Sequence, residues 1–81
     1  MKKTKDEIFL LKLFEVALEQ GNPWEQVDKY TVGRAIGQND RGIDIIVRDL
    51  AQANFIKKGE ANCIYLTQNG LNLIELLKEK S

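Results

Sequence analysis

A mainly α-helical fold carrying one small β-hairpin is what this sequence predicts, and three features predict it. Apolar residues recur at helical spacing in four stretches, each opened by a threonine, asparagine or aspartate suited to an N-cap. Gly21 and Gly37 follow the first two of these stretches, where a helix stops. Between Asn54 and Thr67 the pattern changes to short β-branched and aromatic runs on either side of a glycine-containing connection.

In chain order, Thr4 and Glu7 form a capping-box pattern before Ile8, so the spacing predicts a first helix from Thr4 to about Gln20. Its apolar residues, Ile8 to Leu11, Leu13, Phe14 and Val16 to Leu18, cover well over half the circumference, leaving one sector to Lys5, Lys12, Glu15 and Glu19. That is wider than the stripe of roughly 100 degrees of an ordinary surface helix, so both flanks need covering. Asn22-Pro23-Trp24-Glu25 reads as a cap, an N1 proline and a box glutamate, predicting a short helical turn with Trp24 stapled onto the core. Asp28 caps a helix from Lys29 to Ile36 with Val32, Ala35 and Ile36 inward, ended by Gly37. Asn39 or Asp40 caps a longer helix to about Ala53, with Ile43, Ile46, Val47, Leu50 and Ala53 as the buried stripe. Phe55–Lys58 and Cys63–Leu66 make the hairpin across Gly59–Asn62, and Thr67 caps a last helix from Gln68 to Glu79.

At 81 residues a single domain over 1–81 is expected, burying about 60 to 65% of its unfolded surface. Twelve basic and twelve acidic side chains cancel, so no global field draws the chain to a polyanion and any nucleic-acid binding must come from local clustering. One cysteine and no histidine exclude an internal disulfide, a Cys/His zinc site and histidine acid–base chemistry. No phosphate-binding loop or nucleophile–base pairing is present, so the expectation is no enzyme, no cofactor, no metal and no small-molecule site. Asp6, Glu7 and Lys12 break the N-terminal apolar run, which is too short for a signal core or a membrane span, and a cytoplasmic location is expected.

The segment from Lys29 to Arg48 places Gly33 in mid-helix, Gly37 four residues on in a turn, and Ile43 and Ile46 six and nine beyond that. With the hairpin and last helix behind it, this layout resembles the winged helix-turn-helix domains of prokaryotic transcription regulators, over nearly the whole chain. The resemblance implies a three-helix core, a two-stranded wing and a C-terminal helix. Gly33 then lets two helices approach, Gly37 allows a positive φ, and the isoleucines face the shared core. Two positions depart from the pattern. Gln38 stands where an apolar residue usually anchors the turn, and Gly42 lies inside the second helix, where it either costs about 1 kcal/mol against alanine or marks a close backbone approach, to phosphate or to a neighbouring helix.

The resemblance also implies that the helix around residues 40–53 enters the major groove of duplex DNA with the face carrying Asn39, Arg41, Asp44, Ile45, Arg48 and Gln52. Arg41 and Arg48 suit guanine, Gln52 or Asn39 adenine or a phosphate, and Ile45 a thymine methyl, while Asp44 holds either guanidinium in position. Lys57 and Lys58 would meet the backbone, and Arg34 adds a positive charge to the same DNA-binding face. Several of these residues also have a plainer use. Asp44 and Arg48 make an ordinary surface ion pair, Ile45 a scattered surface apolar residue, and Lys57 and Lys58 a guard against edge-strand pairing. Arg34, Arg41, Arg48, Lys57 and Lys58 exceed Asp40, Asp44, Asp49 and Glu60 by only one charge, so a monomer binds weakly and loses affinity steeply with salt. Lys2, Lys3 and Lys5 form either a short basic arm or a solvated terminus.

Leu71, Leu73, Ile74, Leu76 and Leu77 crowd the last helix, and with the first helix they suggest a homodimer. In the alternative, the two helices bury these faces internally. Cys63 and Tyr65 share one side of their strand, opposite Ile64 and Leu66, as packing residues. The competing function is a winged-helix protein-interaction module in which Ile45 and the arginines meet a protein rather than DNA.

Overall fold

The computed structural model describes residues 3–79, so Lys2 of the expected basic arm lies outside the described residues. The elements run α1 (Lys5–Gln20), β1 (Val27–Asp28), α2 (Lys29–Ala35), α3 (Asp40–Gln52), β2 (Ile56–Lys58), β3 (Cys63–Leu66) and α4 (Gln68–Glu79). The fold is mainly helical with a small antiparallel sheet in the order β1-β3-β2.

The helix starts are made by their own first residues. Thr4 Oγ1 accepts the Glu7 amide at 3.1 Å while Glu7 Oε1 accepts the Thr4 amide at 2.8 Å, closing the box on α1. Asp28 Oδ1 accepts from Tyr30 and Thr31 at the head of α2, and Asn39 Oδ1 accepts the Gly42 amide at 2.8 Å at the head of α3. Thr67 Oγ1 accepts the Gly70 amide at 3.1 Å and donates to the Asn54 carbonyl at 2.6 Å, tying the start of α4 to the end of α3.

Phe9, Leu10, Leu13 and Ala17 of α1 are wholly buried against Val32 of α2, Ile43, Ile46, Val47 and Leu50 of α3, the inward strand residues Val27, Ile56, Ile64 and Leu66, and Ile74 of α4. Each large apolar side chain buried this way contributes about 1.5–3 kcal/mol relative to exposure, before the entropy of ordering is subtracted. Helices α2 and α3 meet at Gly33, where an added Cβ would run into Cγ1 and Cδ1 of the buried Ile43. The turn between them uses Gly37 at φ +80°. The Gln38 amide donates to the Gly33 carbonyl at 3.0 Å, so the turn is anchored through backbone where the side chain is not apolar.

Several expectations are corrected. Residues 22–25 form a turn, not a helical one: the Asn22 side chain accepts the Trp24 amide at 2.8 Å and donates to Glu25 at 3.1 Å. Trp24 is 43% exposed and is no staple onto the core. Ala35 and Ala53 are exposed. Strand β1 was not expected; Val27 and Asp28 pair with Ile64 and Cys63, adding a third strand to the hairpin. The close approach at Gly42 is to Gln38 and Asn39 of its own N-terminal turn rather than to a neighbouring helix. Much of the apolar excess of α1 is used internally, since Leu11, Phe14 and Val16 pack against the core and Lys78 of α4 sits 4.6 Å above the Phe14 ring. Ile8, Leu18 and Leu76 remain exposed.

Candidate functional site

The outer face of α3 follows from its inner one. With Ile43, Ile46, Val47 and Leu50 held in the core, the helical period turns Arg41, Ile45, Arg48 and Gln52 outward in one stripe, and Ile45 is 43% exposed. Asp44 lies along one edge of this stripe and Asp49 along the other. The charge of Lys58 bears on Asp44, which sets Lys58 of β2 on the Asp44 side. The charge of Asp49 bears on Asp6 of α1 and, after burial, helps raise the Asp6 pKa above its ordinary value, which sets the first turn of α1 on the other side.

Asp40, Asp44 and Asp49 of this face are engaged by cations, Asp44 not by the arginines of its own helix. Asp44 pairs with neither Arg41 nor Arg48. Its Oδ1 lies 3.1 Å from Lys29 Nζ and accepts the Tyr30 hydroxyl at 3.0 Å, both from α2. The Lys29 hydrogen bond, then that of Tyr30, holds the Asp44 carboxyl below the usual aspartate range. Burial opposes the charge on Lys29, yet the Asp44 hydrogen bond and charge outweigh it and raise its pKa. The same hydrogen bond to Asp44 raises the Tyr30 phenol. Asp40 takes a forked grip from Arg34, with Nη2 at 2.9 and 3.1 Å from its two oxygens and Nε at 3.3 Å. Arg48 reaches its neighbour Asp49 at 3.5 Å. The Tyr30 ring lies between Lys29 and Arg34, 5.1 and 5.4 Å from their charged groups.

Of the five basic residues expected at the site, this leaves Arg41, Lys57 and Lys58 outside any ion pair among the described residues. The side-chain oxygen of Asn39 is committed to capping α3, which leaves its side-chain amide for a partner. Gln52 is exposed at the last position of α3. Lys29 and Tyr30 are site residues that the sequence did not flag. Tyr30 and Arg34 stand four apart on one helix and could have been paired, whereas nothing local links Tyr30 to Asp44, fourteen residues on.

Cys63 is a free, half-buried cysteine on β3, on the side opposite the buried Ile64 and Leu66. No group of three or more potential metal-binding side chains occurs among the described residues, and none of their helices is long and apolar enough to cross a membrane. No family model, curated protein or solved structure matches the chain.

Proposed function

We propose that the chain is a winged helix-turn-helix DNA-binding regulator acting in the cytoplasm, a binding module rather than a catalyst. In this reading α2, the Gly37 turn and α3 form the helix-turn-helix, and β2 and β3 form the wing. The observation that carries it is the commitment of Asp44 and Asp40 to α2, which leaves Arg41, Ile45, Arg48 and Gln52 presented together on the outer face of α3. Arg41 and Arg48 read guanine O6 and N7, Ile45 rests on a thymine methyl, and Gln52 serves an adenine or a phosphate. Lys57 and Lys58 meet the sugar–phosphate backbone. Arg34 is a weaker contributor because Asp40 already holds it.

So few unpaired cations make a monomer a weak binder, and a pair of chains answers this. Ile8 and Leu18 on α1 and Leu76 on α4, the last 53% exposed, are apolar positions that a second copy would cover. Two α3 helices about 34 Å apart then meet successive turns of a palindromic site.

Duplex DNA of random sequence tests the reading. A protomer contacting about three phosphates binds detectably at low salt and loses roughly 40-fold between about 50 and 200 mM salt. Arg41→Ala or Arg48→Ala weakens binding to a selected site by about 1–3 kcal/mol. No binding at low salt with tens of micromolar protein would instead favour a protein-interaction module on the same fold. One observation favours that second reading: three of the four acidic residues of this face sit beside cations, so the face is nearly neutral around a half-exposed Ile45.

A further inference from the structure

Asp44 stands three residues after Arg41 and four before Arg48, the two spacings at which helix side chains meet. Left to its own helix, its carboxylate would share a guanidinium with one of them. It is drawn off by α2. Lys29 and Tyr30 converge on Asp44 Oδ1 from 3.1 and 3.0 Å. The Lys29 side chain is 19% exposed against 52% for Asp44, so the lysine approaches from the protein side rather than from solvent. Tyr30 is steadied by Arg34 over its ring, and Arg34 by its forked bond to Asp40. The four α2 and α3 side chains around Asp44 therefore form one connected set along the seam between the two helices.

We propose that Lys29 and Tyr30 are positioning residues for the α3 face: by holding Asp44 against α2 they keep its carboxylate off Arg41, which stays unpaired for a polyanionic partner, and off Arg48, which then meets only the 3.5 Å contact of Asp49. The inference rests on the DNA-binding reading for its partner, but the hold on Asp44 is a property of the free protein. Lys29→Met releases the carboxylate to Arg48 or Arg41 on its own helix, or to Lys58, whose charge already bears on it. Capture of Arg41 or Lys58 removes an unpaired cation from the face, and capture of Arg48 adds a second carboxylate to the one it already meets at Asp49.

Two measurements on the full chain test it. In the free protein, the side-chain nitrogen resonances of Arg41, Arg48 and Lys58 are compared in wild type, Lys29→Met, and Lys29→Met combined with Asp44→Asn. At least one resonance is expected to move in the single variant and return in the double. In titrations with random-sequence duplex DNA, Lys29→Met is expected to bind about eightfold more weakly near 0.1 M salt, with a log–log salt slope smaller by about 0.9. Asp44→Asn added to it restores both. A slope that stays reduced in the double variant shows that Lys29 itself touched phosphate and overturns the proposal. Unmoved resonances with a lowered thermal midpoint reduce the contact to a staple between α2 and α3, and overturn it equally. Absence of DNA binding by the wild type defeats the DNA reading alone, and the resonances still decide the positioning role.

Discussion

Gly33→Ala separates packing from propensity at the α2–α3 contact. In an exposed helix interior the change stabilises by about 0.8–1.0 kcal/mol, because alanine is the better helix former. Here the new methyl meets Cγ1 and Cδ1 of Ile43, a residue with no exposed surface, and Ile43 Cβ lies only 3.2 Å away. Ile43 is enclosed and cannot swing clear, so the helices must move apart. Overpacking of this kind costs about 1–3 kcal/mol, more when backbone shifts. With a clash this deep we take the upper end, and the net is a loss of about 1–2 kcal/mol. For a domain of this size that lowers the thermal midpoint by about 4–8 °C per kcal/mol, read by far-ultraviolet circular dichroism.

The partner is identified by a double-mutant cycle. Ile43→Ala alone costs about 2–5 kcal/mol through the cavity it leaves. Combined with Gly33→Ala the loss is less than additive by more than about 0.5 kcal/mol, since the new methyl fills part of that cavity. Gly42→Ala is the control. Its methyl meets Gln38 Oε1 at 2.8 Å, a flexible side-chain end that can swing away, and Asn39 Oδ1 at 3.3 Å, the cap acceptor, so the propensity gain is offset in part and stability stays within about 1 kcal/mol of wild type. A Gly33→Ala protein as stable as wild type, or an additive cycle, would refute the close approach.

The remaining predictions concern caps, titration and the hairpin. Asn39→Ala removes the acceptor for the Gly42 amide and lowers stability by about 1 kcal/mol, measured as a urea midpoint at unchanged slope. Asp44 has its pKa lowered from 3.8 by Lys29 and Tyr30, so its stabilisation is present above 3.8 and is lost as pH falls through the folded value. Urea midpoints of Asp44→Asn should therefore lie below wild type at neutral pH and converge with it in acid. Asp6 has the opposite sign: burial, Asp49 and Glu7 raise its pKa, so the stability it costs appears as pH rises from 3.8 through the folded value. Asp6→Asn should gain over wild type at neutral pH, and a gain of equal size near pH 3 would contradict this. Ala61 sits in the hairpin connection at φ +49°, which costs a non-glycine residue about 1–2 kcal/mol. Ala61→Gly relieves it, less about 0.4–1 kcal/mol for the freer unfolded chain, and a lowered melting temperature would refute the strain.

What the sequence disclosed most clearly was set within a few residues. Thr4, Asp28, Asn39 and Thr67 each bond an amide two or three positions on, so their identity and place suffice to start a helix. The hairpin was legible for a related reason, since its two strands are joined by a four-residue connection and carry β-branched and aromatic residues. Strand β1 was not. Val27 and Asp28 hold no strand signal of their own, and they are extended because β3, far along the chain, offers them a partner. Trp24 was misjudged because a proline and a tryptophan after Asn22 fit a helix start, while the Asn22 side chain bonded Trp24 and Glu25 and closed a turn instead.

The candidate face divides in the same way. Sequence by itself determined which α3 residues point outward, because a helix of 3.6 residues per turn that buries Ile43, Ile46, Val47 and Leu50 must present Arg41, Ile45 and Arg48 on the other side. It also determined that a helix stops at Gly37, while the place of Gly33 between two helices was implied by the resemblance to helix-turn-helix domains. Only the tertiary structure decided what Asp44 bonds to. Helical spacing offered it two arginines on its own helix, and packing brought Lys29 and Tyr30 of α2 closer. A charge on an exposed helix is free to choose among neighbours of similar energy, each worth a few tenths of a kcal/mol. The crossing of α2 over α3, set by Gly33 against Ile43, determines which neighbour is within reach.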